Sequence, residues 1–81
     1  MNSQKSKRAY ILVVIHPGKE NQFREEIMSK HVLVNPQEER MDFVHGIYDY
    51  VIVLIGDVKD IDRRIIEIRK SPFIARTETL L

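Results

Sequence analysis

Three histidines, His16, His31 and His45, are the side chains best suited to hold a metal or move a proton near neutral pH. No two of them form an HxxxH or HxH pair, and the chain has no cysteine, so no metal-ligand spacing exists and no metal is expected. The missing cysteine also excludes disulfides and thiolate catalysis. Ser3 and Ser6 lie near the N-terminus, Ser29 in a helical stretch and Ser71 before a proline; none sits in a nucleophile elbow. There is no GxGxxG and no phosphate-binding loop, so no nucleotide cofactor is expected. The remaining reactive pairing is a carboxylate with a histidine, Asp49 with His45. It would suit acid–base chemistry in a small dimeric isomerase or monooxygenase.

The elements that must position these groups follow from hydrophobic periodicity. Arg8 to His16 is β-branched and apolar and ends at Pro17-Gly18, which predicts a strand. Lys19 to Lys30 carries Phe23 and Ile27 four apart with Met28 beside them, which predicts a helix with a narrow apolar stripe. The stretch 32–40 reads as a loop broken at Asn35-Pro36. A strand follows at about Met41 to His45, with Met41, Phe43 and His45 on one face, and then a tight turn at Gly46 to Asp49. Tyr50 to Ile55 is a second apolar strand. Asp57 or Asp60 caps a helix whose stripe is Ile61, Ile65 and Ile68, extended backward by Val58, with Arg63, Arg64, Arg69 and Lys70 on its polar side. Ser71-Pro72 stops that helix, and Phe73 to Leu81 is the last strand, with Arg76 and Glu78 alternating against Thr77 and Thr79.

The order βαββαβ predicts a ferredoxin-like α+β fold: one four-stranded antiparallel sheet with two helices on one face. The first and third strands are apolar on both faces, which makes them the central pair. Two helices cover one sheet face only, so the other would present Tyr, Leu, Val and Ile side chains to water, unless the 32–40 loop folds over part of it. A chain of 81 residues without disulfides has little core to spare. Association of two copies through the open face is the expected staple.

A net charge of +1 sets no strong field toward nucleic acid or anionic lipid. The apolar run Tyr10 to Ile15 is too short for a membrane span, so a cytoplasmic chain with a disordered leader at 1–7 and one domain at 8–81 is expected. The same element order occurs in RNA-recognition motifs, and Tyr10 and Tyr50 could stack bases. The third strand lacks the basic-glycine-aromatic signature, however, and Asp49 at its mouth repels phosphate.

Three stretches together resemble the effector domain, or RAM module, of the Lrp/AsnC family of feast/famine transcription regulators. They are Ala9-Tyr10-Ile11-Leu12-Val13-Val14 with Pro17-Gly18-Lys19-Glu20, then Gly46-Ile47-Tyr48-Asp49, then Ser71-Pro72-Phe73-Ile74-Ala75-Arg76-Thr77-Glu78-Thr79. Phe73 replaces the family's usual glycine, and no helix-turn-helix precedes the first strand, so the chain resembles a stand-alone effector module. The resemblance implies dimers formed through the sheets and assembled into rings, often octamers, with a small effector, usually an amino acid, between dimers. It also implies that Gly46, Ile47, Tyr48 and Asp49 line the ligand site, with Thr77 and Thr79 close by, and that catalysis is not the role. Asp49 would pair an ammonium, the amides around Gly46 a carboxylate, and Thr77 and Thr79 would offer hydroxyls. Such a module would act alone or join full-length regulators of the family, without specific DNA contact of its own.

Overall fold

The computed structural model describes residues 6–81. Positions 1–5 lie outside the described residues. The expected leader is met only at its end, where Lys7 already belongs to a strand. The elements are β1 (Lys7–Ile15), α1 (Glu20–Ser29), β2 (Arg40–Phe43), β3 (Tyr50–Gly56), α2 (Val58–Arg69) and β4 (Ile74–Leu80). They form one sheet in the order β2-β3-β1-β4, antiparallel throughout, which is the ferredoxin-like arrangement. The doubly apolar strands β1 and β3 are central, as their composition requires.

Along β1, Ala9, Ile11, Val13 and Ile15 point into the helix layer and are buried, and from β3 Tyr50, Ile52 and Leu54 join them. Phe23 and Ile27 of α1 and Ile61, Ile65 and Ile68 of α2 close this core. Tyr50 turns its hydroxyl out to donate to the carbonyl of Glu20 at 3.3 Å, while its ring packs on Phe23 and Phe43. The turn into α1 uses Gly18 at φ +84°, a conformation that favours glycine, and Lys19 N–H donates back to His16 C=O. Asp57 caps α2 by accepting from the Asp60 amide at 2.8 Å.

Several expected positions shift. β2 ends at Phe43, so His45 lies in the following loop while Met41 and Phe43 share the helix-side face. Val58 is 42% exposed and does not extend the stripe of α2. The larger correction concerns Arg64. It sits on the buried side of α2 at 4% exposure and pairs with Glu39, which is 3% exposed. The 30–39 segment therefore packs on the helix layer, with Val32 in the core, rather than over the open sheet face.

Glu39 is the hub of that segment. Its Oε1 accepts from the Val34 and Asn35 amides at 2.8 and 3.1 Å and from Arg64 at 2.9 Å; its Oε2 accepts from the Ile55 amide at 2.8 Å. Arg64 also donates to the carbonyls of Val32 and Ile55 and to Asp60. Burial opposes ionisation of Glu39, but Arg64 and the three amides outweigh it and hold its carboxyl at about 2. A Cβ at position 56 would stand 2.9 Å from the Asp60 carboxylate that Arg64 holds, so a larger residue there would have to shift that carboxylate.

Candidate functional site

The loop between β2 and β3 closes on itself, with the Val44 amide donating to Asp49 C=O at 3.0 Å. Gly46 takes φ +113° with no atom in the space a side chain would fill, so the backbone is accessible at this point. Ile47 beside it is 72% exposed, unusual for an isoleucine.

Asp49 is fastened at the mouth of the sheet. Its amide donates to Val13 C=O at 2.8 Å, and its Oδ2 accepts from the Ile15 amide at 2.7 Å. The ladder between β1 and β3 stops at Val13–Tyr50, so Ile15 has no strand partner on that side, and the carboxylate takes the place of the missing carbonyl. Among the described residues no group donates to its Oδ1. That oxygen is the anionic contact the loop can offer to a cationic ligand group.

Tyr48 reaches the other way, across the open face to β4. Its hydroxyl donates to Glu78 at 2.5 Å, and the guanidinium of Arg76 lies 5.6 Å from its ring centroid. The bond to Glu78 raises the Tyr48 phenol above its ordinary pKa. In the sequence, Arg76 and Glu78 show only as charges alternating with threonine along the last strand, a pattern that does not point to Tyr48.

Thr77 and Thr79 stand opposite Val13 and Ile11 in the register and so share the helix-side face. Thr77 accepts from Arg69 of α2 at 3.2 Å, and Thr79 Oγ1 is enclosed without a partner. Within one protomer the sheet lies between these hydroxyls and Tyr48. Gly46 to Asp49 form one continuous surface, and the threonines belong to another.

His45 packs edge-on against Phe43 with centroids 5.8 Å apart, and no hydrogen bond joins it to Asp49. An open groove of about 670 Å3 lies between α1 and the edge strand β2, lined by Arg24, Glu25, Met28, Ser29 and Met41; neither His45 nor Asp49 reaches it. Among the described residues no group of three or more His, Asp or Glu side chains is placed to hold a metal ion. No helix of the described residues is long and apolar enough to cross a membrane.

The fold defines a ferredoxin-like βαββαβ module. The solved structure of FFRP-DM1 is similar at 35% identity, covering 90% of this chain and 93% of that one, with a TM-score of 0.72. Hypothetical protein PHS023 from Pyrococcus horikoshii is similar at 33% identity, covering 94% of this chain and 87% of that one, with a TM-score of 0.71. MtbAldR shares the fold at 15% identity and a TM-score of 0.68; 90% of this chain spans 50% of that one. The chain belongs to the feast/famine regulatory proteins represented by FFRP-DM1. No protein-family model and no curated protein matches it.

Proposed function

We propose that the chain is a small-effector sensing and assembly module of transcriptional regulation, and that it does not catalyse a reaction. Two copies stack through their open sheet faces, and the dimers associate further into a ring such as an octamer. The effector is a free amino acid bound at the 46–49 loop where dimers meet. The module acts on amino-acid metabolism alone or by joining full-length regulators of the same family, and contact with DNA is left to those partners.

The observation that carries this reading is the loop itself. It offers an accessible backbone at Gly46, an exposed apolar contact at Ile47 and a carboxylate oxygen on Asp49 with no internal donor. These are the three contacts an amino acid needs: amides for its carboxylate, an anion for its ammonium and apolar surface for its side chain. Thr77 and Thr79 face the helix layer, Thr77 on Arg69 and Thr79 with its hydroxyl enclosed, so in this reading the 46–49 loop holds the effector without them. The acid–base alternative needs His45 beside Asp49, and His45 packs on Phe43 instead.

A thermal-shift panel of the twenty amino acids, with light scattering on each hit, tests the proposal. An effector at a hundred times its dissociation constant adds about 2.7 kcal/mol, a rise of several degrees for a domain of this size. One or a few amino acids raising the melting temperature together with the assembly mass is the expected result. A flat panel would remove the sensing role.

A further inference from the structure

We propose that β2, at one edge of the sheet, pairs antiparallel with β2 of a second copy in a register centred on Met41, so that two sheets run on as one. This rests on the reading above that dimers join into a larger assembly and names the contact that joins them; it is separate from the open face and needs no effector.

The ladder fixes which way the edge points. The Ile55 amide and carbonyl turn away from β1, where they meet the carboxylate of Glu39 and the guanidinium of Arg64. Backbone groups alternate in direction along a strand, so Val53 and Val51 send theirs to β2, and Arg40 and Asp42 stand opposite to answer them. Just past β2 the Val44 amide keeps the same sense, donating to Asp49 C=O. Met41 and Phe43 therefore direct their N–H and C=O outward, and among the described residues no hydrogen bond meets them. The other edge is less open. The register along β4 shifts between Val14 and Ile15 and leaves Ala75 without a partner, and a bulge of this kind blunts an edge.

Self-complementarity singles out the occupant. With Met41 opposite the partner's Met41, Arg40 stands directly opposite the partner's Asp42, and Asp42 opposite the partner's Arg40. All four lie on one face. They make a square in which charge alternates, because Arg40 and Asp42 of each strand already bond at 2.7 Å. Opposite charges placed so stabilise a sheet, and like charges destabilise it. The two neighbouring registers that keep the hydrogen bonds set Asp42 against the partner's Asp42 or Arg40 against the partner's Arg40, so the charges select the register. The other face of the edge adds apolar contact. Phe43 is 60% exposed, and Met41 lines the open groove with the exposed Met28 of α1; in the paired sheet two such grooves meet at the axis. Four residues a side make a small contact, which fits a joint repeated in a closed assembly rather than one that stands alone.

The chain has no cysteine, so one placed at the axis reports the pairing. Met41→Cys sets two thiols on facing residues whose Cα atoms lie about 5.5 Å apart, within disulfide reach, whereas sheets stacked face to face stand about 10 Å apart. Asp62→Cys, exposed on α2, measures chance collision. Both chains are checked by circular dichroism and oxidised with glutathione disulfide at equal concentration, and the covalent dimer is read on a non-reducing gel. Faster cross-linking at 41 than at 62 is expected. Adding Asp42→Arg sets like charges opposite each other on both sides of the axis and slows it at least about tenfold; adding Arg40→Asp as well restores it. Cross-linking at 41 no faster than at 62 overturns the pairing and leaves the edge to a strand of another protein, without touching the effector panel. Fast cross-linking that ignores the charge changes overturns the register. Should Met41→Cys not fold, a mixture of the Arg40→Cys and Asp42→Cys chains makes the same measurement between opposed residues, with each chain alone as its control.

Discussion

Glu39 with Arg64 ties a loop to a helix and Tyr48 with Arg76 and Glu78 ties a loop to a strand, yet the two clusters sit in opposite surroundings. The first is dry, with both members less than 5% exposed, and its carboxylate oxygens take donors from a loop, a strand and a helix. The second lies on the open sheet face, where water competes for every contact. In the first cluster, loss of one partner strands a charge in the interior; in the second, water takes the partner's place. The difference separates a region that holds the fold from one whose contacts are open to solvent.

Breaking the dry cluster produces the largest effect. Arg64→Ala leaves Glu39 buried and unpaired, and a loss of about 3–5 kcal/mol in urea denaturation is expected. Acid attacks the same point. Glu39 titrates at about 2 in the folded protein against an ordinary 4.5, so its contribution is complete above pH 4.5 and is lost as pH falls toward 2. That contribution is on the order of 3 kcal/mol. Glu39→Gln should flatten that part of the stability–pH curve, and a variant as acid-sensitive as wild type would assign the acid lability elsewhere.

The wet cluster gives smaller numbers. Tyr48→Phe removes one exposed hydrogen bond and should change stability by less than about 1 kcal/mol. Asp49→Ala stands between the two cases, because it frees the partly buried Ile15 amide, and about 1–2 kcal/mol is expected. A Tyr48 variant more damaging than Arg64→Ala would reverse the contrast drawn here.

The sequence made the wet region far more legible than the dry one. Strand order, the central pair and the open face follow from the apolar runs of β1 and β3, because a strand buried on both faces has no other pattern. The turn at Gly46 to Asp49 and the alternation along β4 were equally visible. Glu39 and Arg64 were not. Each lies in a polar stretch, and only the folding of the 30–39 segment against α2 brings them together, 25 residues apart in the chain. Periodicity reports which face of an element is apolar. It carries no information about a distant charge that makes a polar residue worth burying, which is why Arg64 reads as part of a solvated face. The separation of Thr77 and Thr79 from Tyr48 is likewise a matter of sheet face: strand alternation assigns the threonines one side, but only the register with β1 says which.

We propose that the 46–49 loop reads an amino acid and that the open sheet face turns the reading into assembly. Sedimentation equilibrium of wild type and Asp49→Ala, each with and without the amino acids of the panel, tests it most directly. A dimer or larger species is expected for both chains, with a further rise in mass with the effector for wild type and no rise for Asp49→Ala. Equal responses from the two chains, or a mass indifferent to every amino acid, would contradict it.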